Sequence, residues 1–156
     1  MMHESLMGAL ILGHLMGDYL FQNDWMALNK SKPGKQGLKA CVTHCLIYTF
    51  FVLMILETAS GTMLEIEIKK EVITAVVLFA SHFFIDRYEI GNWWMTHVKG
   101  TGIRQILDTG KSIDLGGETF TRKAVIQMAF SSYVYIVTDN TMHLVLMWFG
   151  LRLVGW

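Results

Sequence analysis

Apolar residues fill four long stretches of this chain, residues 5–22, 38–59, 72–88 and 124–155, and most charged residues fall between them. A helix needs about 20 mostly apolar residues to cross ~30 Å of hydrocarbon. Lipid offers no partner to open backbone groups, so helices are the expected spanning elements. The pattern predicts an all-α integral membrane protein of about four transmembrane helices, in a single domain over residues 1–156. The fourth stretch is too long for one simple crossing. Residues 89–123 read as a long loop, with a short interfacial helix over 103–107 and a small hairpin around Gly116-Gly117.

The basic residues orient the helices. Residues 23–37 carry Lys30, Lys32 and Lys35, and Lys39 follows at once. Residues 89–123 carry Lys99, Arg104, Lys111, Arg122 and Lys123. The connection near residue 65 mixes Lys69 and Lys70 with Glu57, Glu65, Glu67 and Glu71. The first and third connections are therefore expected in the cytoplasm, with both termini outside, as for a protein of a bacterial inner membrane. Trp25, Trp93, Trp94 and Trp156 fall near helix ends, where interfacial anchors belong.

Composition agrees with this reading and removes some alternatives. The chain is 53% apolar and 17% charged, and its formal net charge is zero. A neutral chain lacks the basic surface that nucleic-acid binding requires. Cys41 and Cys45 sit four apart in an apolar run and form no disulfide framework. Residues 1–5 lack the basic start of a secretory signal, and none is read there.

The unusual residues are polar ones inside the apolar stretches. Of six aspartates, Asp18, Asp86 and Asp139 lie there, and each has a histidine four residues away: His14, His82 and His143. Positions i and i+4 share a helix face. With six histidines in 156 residues, three such coincidences have a chance of roughly one in two thousand if positions are independent along the helical period. An aspartate at mid-helix also costs roughly 2.5–3.5 kcal/mol to insert, so three of them need partners inside the bundle. His44 opens the second stretch, so all four helices contribute.

Four imidazoles and three carboxylates form an N/O donor set that suits zinc, with manganese or iron as alternatives, and seven groups can hold one or two divalent ions. The expected ligands are His14, Asp18, His44, His82, Asp86, Asp139 and His143. Each aspartate could instead orient its histidine. Hydrogen-bonded helix glue and proton relay stay open as readings without a metal. If the last crossing began at Ala124, Asp139 would lie ~22 Å deeper than the other groups. Residues 124–138 are therefore expected largely outside the crossing, as an interfacial or re-entrant helix.

These residues carry a resemblance. Gly13-His14-Leu15-Met16-Gly17-Asp18-Tyr19-Leu20-Phe21-Gln22, then Asp24-Trp25-Met26-Ala27 and Lys30, resembles the opening of a bacterial and phage membrane family catalogued as a domain of unknown function, number 3307. His44, the run Ser81-His82-Phe83-Phe84-Ile85-Asp86 and the run Asp139-Asn140-Thr141-Met142-His143 are similar to its later motifs. The resemblance implies kinship with membrane-bound metal-dependent hydrolases and supplies no substrate.

The leading expectation is a metal-dependent hydrolase at the cytoplasmic membrane face, acting on a lipid-like or phosphorylated membrane substrate. A bound ion would lower the pKa of water to give hydroxide. Asp18 is the expected base, and Gln22, on the same face, would position water. Lys30 and Arg87 could hold a phosphate, although anchoring at the headgroups explains them more simply. The chain has no His-Glu-x-x-His and lacks the further motifs of lipid phosphate phosphatases. The alternative is a non-enzymatic membrane protein: a metal or proton transporter, a haem binder, or a phage-type membrane interaction protein.

Overall fold

A computed structural model describes residues 2–61, 68–101 and 122–156, and every regular element among them is helical. Helix α1 runs Met2–Leu15 and passes into a π-helical turn, Met16–Leu20, closed by Phe21 N–H donating to the Met16 carbonyl at 3.0 Å. A short α2, Asp24–Asn29, starts where Asn23 Oδ1 accepts from the Met26 N–H at 3.0 Å, an N-cap that satisfies one open donor. Helix α3 is Gly34–Ser60, α4 is Ile68–Tyr88, α5 is Ile90–His97 and α6 is Arg122–Val154.

The chain divides into two compact units. One holds residues 1–88 and 143–156, the other residues 89–142. In the first unit, α3 is the central element and α1, α2 and α4 pack against it. Ala9, Leu10, Tyr48, Val52, Leu56, Leu78, Met147 and Leu151 form its apolar core. Close approach of α1 to α3 depends on two glycines. A Cβ on Gly13 would lie 3.0 Å from Val52 Cα, and one on Gly17 would lie 2.5 Å from the Tyr48 ring. This is a small-xxx-small face of the kind that lets helix backbones meet in membranes. In the second unit, Met95 of α5 is buried, and Thr138 of α6 donates to its sulfur at 3.8 Å.

Several expectations change. Helix α3 begins at Gly34 rather than residue 38, because Pro33 breaks the preceding backbone and Lys35 and Lys39 join the first turns. His44 therefore lies ten residues, about 15 Å, inside its helix and does not open it. Residues 124–138 belong to α6, which runs unbroken from Arg122 to Val154. Part of the expected loop 89–123 is helical, as α5. The short helix over 103–107 and the hairpin around Gly116 lie outside the described residues.

Among the described residues, only Gly34–Ser60, with a mean hydropathy of 1.9, is both long and apolar enough to cross a bilayer by itself. Four such helices are thus not found. The apolar segment Leu6–Leu20 is short. Helix α4 carries Lys69, Lys70 and Glu71 at one end and His82, Asp86 and Arg87 at the other. Helix α6 carries Asp139, Asn140 and His143 at its middle. In α4 and α6 the same polar residues that predict a site also lower the hydropathy.

A buried histidine–aspartate cluster as candidate metal centre

The cluster grows from one rule applied on each helix: side chains four residues apart stack along one face. On α1 the pair is His14/Asp18, with Asp18 carried by the π turn, a deformation often found at functional sites. On α3 it is His44/Tyr48, and on α4 His82/Asp86. From α6, His143 enters the same unit. His14, His44, His82, Asp86 and His143 are all buried, five of the seven buried polar residues among those described.

At the centre, His44 Nε2 and His82 Nε2 lie 2.8 Å apart. Asp18 Oδ1 is 3.3 Å from both, and Asp86 Oδ2 is 3.2 Å from both. Outside this core, Asp18 Oδ2 faces His14 Nδ1 at 3.5 Å, and Asp86 Oδ1 faces His143 Nε2 at 3.5 Å. Two ring stacks border the cluster: Tyr48 lies on His82 with centroids 3.6 Å apart, and His14 stacks on His143 at 5.4 Å.

Protons are scarce at this centre. Ionised carboxylates bring none. If both imidazoles were protonated on Nε2, two N–H groups would confront each other at 2.8 Å. At least one Nε2 therefore presents a lone pair to the other, beside two carboxylate oxygens, one of which also meets the Lys30 ammonium at 2.9 Å. A divalent ion among these donors would offset the negative charge that Lys30 leaves. Ligands around a tetrahedral zinc, at about 2.0–2.1 Å from the ion, sit about 3.3–3.4 Å from one another. The four imidazole–carboxylate spacings match that edge within ~0.2 Å, and the His44–His82 spacing is shorter. The residues present fit a divalent ion.

The structure thus brings together His14, Asp18, His44, His82, Asp86 and His143. Asp139 belongs to the second unit, where it fills the space left by the missing side chain of Gly91. Gln22 Nε2 donates to the Asp18 backbone carbonyl at 3.2 Å, and its Oε1 is buried without a hydrogen-bond partner. One contributor, Tyr48, was not expected, and Lys30, expected as an anchor or phosphate holder, pairs with a cluster carboxylate. Tyr48 places its hydroxyl 3.1 Å from His14 Nδ1 and donates to Met147 Sδ at 3.3 Å. Its signal was present, since it stands four residues after His44. Lys30 Nζ lies 2.9 Å from Asp86 Oδ2, and Arg87 fixes that loop by donating to the Lys30 and Lys32 carbonyls at 3.2 and 2.5 Å. Arg87 is thereby a structural tether. His97 is exposed and hydrogen-bonds within its own helix.

Over residues 6–150 the chain matches the family described as protein of unknown function (DUF3307). The chain belongs to that family. The matched span contains every residue of the cluster, from His14 to His143. No curated protein and no solved structure matches the chain.

Proposed function

We propose that this member of the family is a membrane-embedded metal-dependent hydrolase, its ion held by His44, His82, Asp18 and Asp86. The observation that carries the reading is the convergence of four buried donor atoms, from three elements, at 3.2–3.3 Å across the carboxylate–imidazole pairs. A carboxylate oxygen has two lone pairs, so Asp86 Oδ2 can ligate an ion and accept from Lys30 together.

The surface supports a membrane setting. Polar groups are buried, while large apolar side chains face outward: Leu46 and Phe50 on α3, Val76 and Phe84 on α4, and Val145 and Phe149 on α6 are each more than half exposed. Soluble proteins rarely leave such faces open, and ionisable groups in lipid turn inward. On this reading α1, α3, α4 and α6 all lie within the bilayer. The polar interior of the bundle makes up for the low hydropathy of single helices. The basic first and third connections then face the cytoplasm.

Four protein donors complete a tetrahedral shell, so on this reading the water enters as a fifth ligand or displaces one carboxylate oxygen. The histidines are sealed, but the side chains of Asp18 and Lys30 keep 11% and 19% of their exposure. Gln22, whose buried Oε1 has no hydrogen-bond partner, would orient a water on this reading. An ion there would generate hydroxide near neutral pH and polarise the scissile group. The substrate class is a lipid or another membrane-associated molecule that reaches Asp18 and Lys30.

The test is elemental analysis of the full chain purified in detergent without chelators. Wild type should carry a divalent metal, zinc first, and His44→Ala or His82→Ala should lose most of it while His97→Ala keeps it. Incubation with a total bacterial lipid extract, followed by mass spectrometry, should show metal-dependent loss of a lipid and gain of its hydrolysis products. Metal retained by every variant contradicts the ligand assignment, and an inert metal-loaded wild type contradicts the hydrolase.

A further inference from the structure

We infer that the first unit binds an anionic phospholipid away from the cluster, its headgroup drawn by Arg152 and Lys70 and an acyl chain laid along a pocket between α1 and α6. The inference rests on the membrane setting proposed above and makes no use of the metal. The pocket is lined by Leu6, Met7 and Leu10 of α1 and by Trp148, Arg152 and Trp156 of α6 and the residues after it. Leu10 is buried, whereas Met7 and Trp148 are each 41% exposed, so the pocket opens on the surface. Arg152 stands nine residues past His143, about 13 Å along α6, so the pocket is no part of the cluster.

Charge decides the occupant. Arg152 Cζ lies 5.8 Å from the centroid of the Trp148 ring, and Lys70 Nζ lies 4.2 Å from that of Trp156. Each of the two indoles lining the pocket thus carries a cation. Among the described residues no carboxylate is in ion-pair contact with either cation, whereas Lys30 at the cluster is paired with Asp86. Glu71, next to Lys70 in the sequence, hydrogen-bonds with Glu57. Trp156 is pinned, its Nε1 donating to the buried Thr74 Oγ1 at 2.8 Å. A guanidinium offers a planar fork of donors that matches a phosphate, and tryptophans settle at the level of the headgroups. The apolar wall beside them suits a hydrocarbon chain. The cavity, about 70 Å³, is well below the roughly 300–1,000 Å³ that encloses a small molecule. That favours a chain lying along an open surface over a compact soluble ligand.

The experiment reconstitutes the full chain in phosphatidylcholine vesicles and adds phosphatidylglycerol or phosphatidylcholine with brominated acyl chains, which quench the fluorescence of an indole they touch. The share of quenching lost in Trp148→Phe and Trp156→Phe belongs to the pocket. That share should reach half its extent at about fivefold less phosphatidylglycerol than phosphatidylcholine, the factor by which one basic residue near a membrane surface strengthens such an attraction. Arg152→Gln and Lys70→Gln should each shrink the preference. Lys39→Gln, outside the pocket, should keep it, and inorganic phosphate should not relieve the quenching. Should the variants fail to fold, the wild-type comparison of the two lipids decides alone. Equal quenching by both lipids, or an equal loss of preference in Lys39→Gln, overturns the anionic site. Relief by inorganic phosphate overturns the acyl-chain groove. Quenching that spares Trp148 and Trp156 overturns the proposal too, and a dimeric mass in detergent would then put a second copy on the pocket. A chain that does not enter the vesicles overturns the membrane setting itself, whereas an inserted chain without lipid preference overturns only this inference.

Discussion

Asp18 and Asp86 look alike in the sequence and differ in their surroundings. Each faces the two central imidazoles, but only Asp86 also meets Lys30 Nζ, at 2.9 Å. Asparagine is nearly isosteric yet carries no charge, so either Asp→Asn change should weaken metal binding by at least about tenfold. Asp86→Asn should do more: it leaves the Lys30 ammonium without its carboxylate. A fully buried pair broken in this way costs about 3–5 kcal/mol, and the partial exposure of Lys30 lowers the expectation to about 1–3 kcal/mol. Thermal melts of chelator-treated protein check this, with Asp86→Asn melting well below Asp18→Asn; equal melting temperatures would show that the Lys30 pair contributes little. At this scale the sequence was readable where residues share one helix. The His–Asp pairs stood out from the four-residue spacing alone. Tyr48 did not, and Lys30 was read only as an anchor or phosphate holder, since an apolar-looking tyrosine and a loop lysine become part of the cluster only through contacts with other elements.

The helices owe their placement to small residues as much as to apolar ones. Gly17 sits in the π turn with its missing side chain facing Tyr48, whose Cα would be 3.2 Å from an added Cβ. Gly17→Ala must push α1 off α3 or tilt the Tyr48 ring, and overpacking of this kind costs about 1–3 kcal/mol. The same change would shift the metal-facing Asp18 beside it, so a lower melting temperature should come with weaker metal binding. Gly8, with open space around it, is the control, where alanine should be neutral or stabilising. Helix existence was legible from apolar runs, but helix ends were not. Lys35 and Lys39 look like loop residues by hydropathy, yet belong to α3 because Pro33 and not their charge sets the boundary.

On the scale of the whole first unit, large apolar side chains face outward and the cluster's histidines and Asp86 turn inward. All-α architecture followed from the apolar stretches. The four crossings expected were not found among the described residues, where only Gly34–Ser60 is long and apolar enough, and in α4 and α6 the histidines and aspartates of the site themselves lower the hydropathy. The central claim is that nitrogen and oxygen donors from α1, α3 and α4 enclose a divalent ion. It can be read most directly by X-ray absorption at the metal edge of the full chain in detergent. The account predicts a first shell of nitrogen and oxygen only, at about 2.0–2.2 Å, with the outer-shell scattering of imidazole rings. That imidazole signal should fall in His44→Ala and His82→Ala. A sulfur shell at about 2.3 Å would place the ion on Cys41 and Cys45, whose buried sulfurs lie 4.0 Å apart on the same helix, and would contradict it.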